Sequence, residues 1–411
     1  MTHRKCRFCG TLLRHSFCDL GVAPPSNAFL SEKQCDEAEV YYPLHAKVCE
    51  SCFLVQLPQY QSPSEIFREY VYFSSYSSTW VCHVKQYAEE AVKRFRLNAA
   101  SQVIEVASND GYLLEHFKAK GIPVLGVEPA ENVAAAAIKK GIPTRAQFFG
   151  VEAARAMLAE GISADLLIGN NVLAHVPDLH DFVAGLKLLL RPGGRITLEF
   201  PHLLALIEQS QFDTIYHEHF SYFSLLTAEK LFLRHQLKIF DVESLETHGG
   251  SLRVFLCHQA DEHEQETEAV ARLRQKERAG GLHRIETYAE FSKKAEEARL
   301  SFLAFLISHR YDEKKIAAYG APAKGNTLLN YCGIRPDLLP YTVDRNPCKQ
   351  GKFLPGSRVP VFHPDKIKET QPDYLVILPW NLKSEIMAQM AFIRKWHGKF
   401  VVPIPRVQVL A

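Results

Sequence analysis

The stretch Val103-Ile104-Glu105-Val106-Ala107-Ser108-Asn109-Asp110-Gly111-Tyr112-Leu113-Leu114 decides how the rest of the chain is read. A short β-branched run of this kind suits a strand buried on both faces. The polar turn Ser108–Gly111 follows, and the apolar residues beyond it begin a helix. A second apolar strand, Val124-Leu125-Gly126-Val127, ends in Glu128-Pro129. A third, Asp165-Leu166-Leu167-Ile168-Gly169, runs into Asn170-Asn171-Val172-Leu173-Ala174-His175. After it come a helix over 179–190, the turn Arg191-Pro192-Gly193-Gly194 and the strand Arg195-Ile196-Thr197-Leu198-Glu199-Phe200. Helical spacing at Val81, Val84, Tyr87, Ala88, Ala91 and Val92 precedes the first strand. Strands alternating with helices imply a mostly parallel sheet that binds ligands at the carboxyl ends of its strands. An acid closing the second strand is placed to accept hydrogen bonds from ribose hydroxyls, and the turn lets a ligand approach the backbone. The spacing is not G-x-G-x-x-G, so a dinucleotide fingerprint is absent.

The whole chain has 411 residues, enough for two to four domains. Its 48 Lys+Arg nearly balance 46 Asp+Glu, which excludes a strong global attraction to nucleic acid. No apolar run approaches a membrane span, and the start Met1-Thr2-His3-Arg4-Lys5-Cys6 lacks a secretory h-region. The expectation is therefore a cytoplasmic protein, for which disulfides are an unattractive reading of its ten cysteines. Cys6/Cys9 and Cys49/Cys52 form two C-x-x-C pairs. Two knuckles of this kind make a tetrahedral thiolate shell for structural zinc; a thioredoxin-like motif would use one pair. A closed shell leaves no position for activating water. Segment 41–57 reads as strand, knuckle and strand. Cys18, Cys35, Cys82, Cys257, Cys332 and Cys348 lack such spacing and are expected to be buried small apolar residues.

Residues 212–224, Phe-Asp-Thr-Ile-Tyr-His-Glu-His-Phe-Ser-Tyr-Phe-Ser, are dense in proton-transfer groups. Histidine can act as general base near neutral pH, and tyrosine can donate to a developing oxyanion. A metal site is the rival reading, but no H-E-x-x-H is present. In an extended strand Tyr216 and Glu218 would face away from His217 and His219. One shared pocket therefore requires a bend or a helical turn.

Residues 259–300 are polar and helix-forming, and their charge run reads as a solvated connection. A second αβ pattern follows. Lys315-Ile316-Ala317-Ala318-Tyr319-Gly320 is a strand, and 321–327 is a small-residue turn into a helix. Further strands lie at 341–344 and 374–378. Backbone amides at a helix start beside Lys324 suit a diphosphate, which makes Lys324, Asn326 and Thr327 candidate substrate contacts.

The combination of Glu105, Gly111, Glu128, Asn170-Asn171 and Arg-Pro-Gly-Gly resembles the class I S-adenosylmethionine-dependent methyltransferases. Ser108 and Asn109 stand where that family carries glycines. Other motifs, taken in order, widen the likeness. They are Cys-x-x-Cys-Gly, Asp19-Leu20-Gly21, Asn27, Tyr42-Pro43-Leu44, the second Cys pair, Ala107–Gly111, Tyr216–Tyr222, His248-Gly249-Gly250-Ser251 with Arg253, and Tyr319–Thr327. In that order they resemble the nucleotide-sugar C-methyltransferases, specifically the 3-C-methyltransferases of branched deoxysugar biosynthesis. The resemblance implies an N-terminal zinc module (1–75), a class I methyltransferase Rossmann-like central domain (76–258) and a C-terminal Rossmann-like αβ domain behind a helical connection (259–411).

It further implies a nucleotide-linked 4-keto sugar between the last two domains, in a monomer or weak oligomer. His219 would be the base, with Tyr216, Glu218 and His175 beside it and Tyr76, or else Tyr70, near the sugar or cofactor. Glu105, Ser108, Asn109 and Gly111 would meet the methionine part of S-adenosylmethionine. Glu128 would bind the ribose, with Asn170 and Asn171 also at the cofactor and Tyr222 and Arg253 at the substrate. Three alternatives stand beside this reading. They are an O- or N-methyltransferase, a zinc-containing nucleic-acid-binding protein, and a nicotinamide oxidoreductase, for which Gly320–Gly325 lacks the glycine spacing.

Overall fold

A computed structural model describes residues 5–67, 75 and 78–411. Val103–Val106 is buried throughout and lies inside a seven-stranded sheet. Across that sheet the order is Leu237–Leu245, Ser251–His258, Leu190–Pro201, Ala164–Asn170, Val103–Val106, Val124–Val127 and Thr144–Arg145. All neighbours pair in parallel except Ser251–His258, which runs antiparallel to both of its partners. Strand order reverses between Val103–Val106 and Ala164–Asn170, and such a switch opens a crevice at the carboxyl ends. The helix over Ser78–Arg94 starts three residues before its expected spacing. It buries Val84, Tyr87, Ala88 and Ala91 against Phe117, Leu166 and Ile168 on one face of the sheet. Helices Val151–Ala159, Leu179–Leu189 and Leu225–Arg234 cover the other face with Met157, Phe182, Leu186 and Phe232. The Arg191–Gly194 turn is drawn into the long strand Leu190–Pro201, with Gly193 at φ +75° where the ladder shifts register.

The C-terminal sheet has six strands, ordered Val361–Phe362, Thr342–Val343, Ile316–Tyr319, Tyr374–Ile377, Lys399–Val402 and Gln408–Leu410. The first five are parallel, and Gln408–Leu410 closes the edge antiparallel. The charged connection is helical over Glu268–Ala279, Ile285–Ala289 and Phe291–Tyr311, but it is not solvated throughout. Glu277 is fully buried; it accepts hydrogen bonds from the Leu225 and Leu226 amides and from His202 Nε2, capping the helix Leu225–Arg234.

The N-terminal strands His15–Ala23, Tyr42–Val48 and Val55–Gln56 form a third sheet, whose fourth strand is Ser221–Tyr222, directly after the Tyr-His-Glu-His segment. This small sheet is wedged between the two larger ones. Phe17 stacks on Phe291 with ring centroids 4.5 Å apart, within a core that continues to Leu328 and Val376. The paired cysteines pack instead with Leu225 and Ala228 of the central core. None of the ten cysteines is in a disulfide. Cys18, Cys257 and Cys332 are buried as expected, whereas Cys35, in the short 3₁₀ helix Lys33–Asp36, is only half-buried. Cys82 and Cys348 are exposed, because Cys82 falls on the outer face of its helix and Cys348 in a surface turn.

Candidate active site

The Tyr-His-Glu-His segment is a tight turn rather than a strand. Phe212–Thr214 forms one 3₁₀ turn, and the His219 amide then bonds back to the Tyr216 carbonyl at 2.9 Å. That closure brings residues three apart onto one side. Tyr216 and His219 face each other with ring centroids 4.0 Å apart, and the Tyr216 hydroxyl lies 2.8 Å from His219 Nε2. His219 Nδ1 is 2.9 Å from the Thr214 carbonyl, which can only accept, so Nδ1 carries the hydrogen. Nε2 therefore holds the lone pair and accepts from Tyr216. Burial holds His219 well below the usual histidine range, with His175 close by adding to the effect. A neutral base results. Glu218 accepts from Asn27 Nδ2 at 2.6 Å, and burial raises its carboxyl to about 7. His217 turns the other way, donating to the Pro43 carbonyl between Tyr42 and Tyr60.

These groups line a cavity of about 830 Å³ shared by the central and C-terminal sheets. Asn109, Glu128, Asn170, Asn171, His175, Tyr216, Glu218, His219 and Lys324 all reach it. Glu128 accepts from the Asn109 amide at 3.0 Å and the Ala130 amide at 2.9 Å, one on each oxygen. Lone pairs remain on both oxygens for ribose hydroxyls. Ala107, Asn109 and Asn171 sit at φ +57°, +49° and +53°, the local strain that opens the strand ends to a ligand. These groups fit S-adenosylmethionine. On the opposite wall Lys324 donates to Asn381 Oδ1 at 3.0 Å and lies 4.6 Å from the centre of the Trp380 ring. The Trp380 indole in turn donates to Asp213 Oδ2 at 2.7 Å, and burial raises Asp213 to about 6.

The remaining expected residues lie elsewhere. Glu105 is buried below the cavity, and neither of its carboxyl oxygens has a hydrogen-bond partner; burial, with Glu128 near, holds it well above the ordinary range. Ser108 packs its hydroxyl against Gly126, and Gly111, at φ +76°, closes the turn beneath. Arg253, expected at the substrate, is instead committed to Glu199 at 3.0 Å and Glu243 at 2.9 Å, over the Tyr87 ring. Asn326 donates to the Ser26 carbonyl at 2.5 Å and Thr327 to the Ile215 carbonyl at 3.2 Å, so both fasten modules together. Tyr222 supports His219 edge-on from 6.1 Å, inside the small sheet. Tyr70 and Tyr76 lie outside the described residues.

Sequence reasoning passed over cavity-lining Asn27, Trp80, His83, His248, Lys349 and Asn381. Asn27 and His248 stood within quoted motifs, and that was the available signal. Gly249 beside His248 meets Trp380 so closely that an added Cβ would lie 2.5 Å from its ring, at φ +92°.

The sulfur atoms of Cys6, Cys9, Cys49 and Cys52 lie within 4.8 Å of one another, with Cys6–Cys52 at 3.5 Å and Cys9–Cys49 at 3.4 Å. Zinc–sulfur bonds of about 2.3 Å put tetrahedral sulfurs about 3.8 Å apart, so the donor set fits zinc. Each knuckle closes by an amide bond to its first cysteine carbonyl, from Gly10 and from Phe53, both at positive φ.

Three protein-family models match in series. Residues 6–67 match "Putative zinc binding domain", 81–242 "Methyltransferase domain" and 246–405 "C-methyltransferase C-terminal domain". Among solved structures, a magnesium protoporphyrin IX methyltransferase of Synechocystis is 17% identical, over 43% of this chain and 80% of that one, at TM-score 0.32. An S-adenosylmethionine-dependent methyltransferase from Clostridium acetobutylicum is 13% identical, over 42% and 89%, at TM-score 0.34. Among the described residues no helix is long and apolar enough to cross a membrane. The C-methyltransferase NovU of Streptomyces niveus is 35% identical over 407 residues, covering 99% of this chain and 97% of that protein. The chain thus belongs to the C-methyltransferases, as an S-adenosylmethionine-dependent enzyme with an N-terminal zinc-binding domain.

Proposed function

We propose that the enzyme methylates C3 of a nucleotide-linked 4-keto deoxysugar through an enolate, as a step in making a branched deoxysugar. Carbon must become nucleophilic to take an electrophilic methyl group, and a neighbouring ketone makes that possible by acidifying the C–H bond. S-adenosylmethionine, when bound, supplies the electrophilic methyl. The observation that carries the reading is the His219 tautomer, with its lone pair on Nε2 inside the cavity and a phenol beside it. Without substrate the Tyr216 hydroxyl caps that lone pair. Turned toward a ketone oxygen, the same hydroxyl uncovers the base and supports the developing charge. Glu128, Asn109, Asn170 and Asn171 hold the cofactor, and Lys324 and Lys349 face an anionic substrate from the C-terminal wall. Burial holds both lysines below their usual range, a cost that an arriving diphosphate would offset. Tyr70 or Tyr76, from the segment before Ser78, belongs to the same proposal.

The test is deuterium exchange in D₂O with dTDP- and GDP-linked 4-keto-6-deoxysugars and S-adenosylhomocysteine. Deuterium is expected at C3 with the wild-type enzyme, and His219→Ala is expected to slow exchange by about 10²–10⁴-fold. Methylation without any His219-dependent exchange would point to an oxygen or nitrogen acceptor instead.

A further inference from the structure

His248 stands at the tip of the turn between strands Leu237–Leu245 and Ser251–His258, in the left-handed region at φ 54° and ψ 16°. Glycine takes that conformation freely, whereas an imidazole there costs about 1–2 kcal/mol. The backbone does not leave it by relaxing. The Gly250 amide bonds to the Thr247 carbonyl at 2.9 Å, Gln211 holds the Gly249 carbonyl at 2.6 Å, and the Thr247 hydroxyl is tied to Glu199 at 2.8 Å. The side chain lines the cavity and packs on Trp80, ring centroids 5.2 Å apart. Its Nε2 lies 2.9 Å from Asn171 Nδ2, the residue at φ +53° that follows the Ala164–Asn170 strand. Both partners of this one hydrogen bond are therefore non-glycine residues in left-handed backbone, and strain of that kind persists where surrounding contacts over-determine a functional position. An amide nitrogen donates, so Nε2 accepts and the ring hydrogen is on Nδ1. Burial, with Lys324 near, lowers His248 to about 4, which keeps the ring neutral. The His219 Nδ1–H is spent on Thr214, and Tyr216, once it uncovers His219 Nε2, supplies a single donor, so an oxygen taking up charge has room for a second.

We propose that His248 is a further catalytic residue, whose Nδ1–H, in a tautomer fixed by Asn171, donates to the substrate ketone oxygen as that oxygen takes up charge. The inference rests on the enolate reading above. In the step concerned the C3–H bond breaks and its proton goes to His219 Nε2. The bonding pair becomes the C=C bond, and the carbonyl π pair moves onto the oxygen that His248 faces.

His248→Gly keeps the turn, since glycine accepts this backbone. With dTDP-4-keto-6-deoxyglucose as probe, it is expected to slow both C3 exchange and methylation by about 10²–10³-fold. Dissociation constants for S-adenosylmethionine and sugar nucleotide should stay within about twofold, and added imidazole should restore part of both rates, which a purely structural role would not allow. Asn171→Ala, which frees the tautomer, should show a smaller loss in the same two rates. Exchange at the wild-type rate in His248→Gly overturns the proposal while leaving the enolate reading intact, as does a loss confined to cofactor affinity. A loss that imidazole does not relieve also overturns it. No exchange by the wild-type enzyme overturns both.

Discussion

The central and C-terminal sheets carry the same device in different surroundings. In each, an acid at the carboxyl end of the second strand accepts from the turn after the first strand and from the amide two residues further on. Glu128 takes Asn109 at 3.0 Å and Ala130 at 2.9 Å; Asp344 takes Ala321 at 2.7 Å and Asn346 at 2.8 Å. The backbone tie is the same, and what faces the other side of the carboxylate is not. Glu128 opens on the cavity, whereas Asp344 does not line it and has the Lys349 ammonium 3.9 Å away. Lys349, held by the Ala321 carbonyl at 2.8 Å, lines the cavity in its place. One sheet therefore offers the cavity an acceptor and the other offers cations. The first suits a ribose joined to a sulfonium, and the second suits a phosphorylated substrate.

The largest effect on this pairing should come from removing what keeps the two sheets in register. The cysteine cluster packs on the central core, while the strands it anchors pack on the C-terminal core. Structural zinc contributes about 10 kcal/mol or more of folding free energy. Cys49→Ser, or a strong chelator, should unfold the small sheet and release Ser221–Tyr222 from Val55–Gln56, two residues beyond His219. Methylation should be lost far more completely than S-adenosylmethionine binding. Metal analysis and calorimetry check this, and full activity in metal-free protein would break the comparison.

Next in size is the contrast between the two acids. If Glu128 takes two ribose hydroxyls as proposed, Glu128→Ala removes two charge-assisted bonds worth about 1.5–3 kcal/mol each, and cofactor affinity should fall at least ~10²-fold. Asp344→Ala should leave cofactor affinity within about twofold. It should lower stability by about 1–3 kcal/mol through the amides it orphans, and raise KM for the proposed sugar-nucleotide substrate by letting Lys349 move. Titration calorimetry with S-adenosylmethionine separates the pair, and equal effects would mean that the devices are not differentiated.

Four of the seven central strands were legible because they are short buried runs; Thr144–Arg145, Leu237–Leu245, Ser251–His258 and the point where strand order reverses come from the structure. The cysteine cluster was legible because two C-x-x-C pairs have the knuckle spacing of a four-thiolate metal shell. Val361–Phe362, Lys399–Val402 and Gln408–Leu410 were not, since two-to-four-residue strands carry too little period to register. Arg253 has a structural place in the ion pairs that the sequence does not announce. A charged residue inside a motif looks functional, yet here it neutralises Glu199, which also binds His83 at 3.0 Å and so holds the cavity-lining helix to the sheet. The fastening roles of Asn326 and Thr327 were not legible either, because their partners, Ser26 and Ile215, lie 300 and 112 residues away and no local pattern encodes them. The proximity of Tyr216 and His219 could be posed only as a condition, that the segment bend, and the turn closed by the His219 amide meets it.

The smallest expected effect separates the two walls by pH. Burial raises Glu218 to about 7, and its bond from Asn27 offsets only part of that. A carboxyl whose folded value lies above its unfolded value of about 4.5 favours the native state most when protonated. Its contribution is complete below pH 4.5 and is lost as the pH rises through 7, a change of at most about 3 kcal/mol. Glu218→Gln keeps the shape and removes the titration. Between pH 5 and 8 the stability of this variant should decline less steeply than that of the wild type, the two curves differing in slope inside that window and running parallel above it. Lys349, which faces both Glu218 and Asp344, supplies the control. Lys349→Met withdraws the cation that favours ionised Glu218, so the wild-type inflection should move to higher pH. An inflection unmoved by Lys349→Met would mean that the C-terminal wall does not act on the acid beside the base, and that the two sheets meet at this cavity without electrostatic coupling.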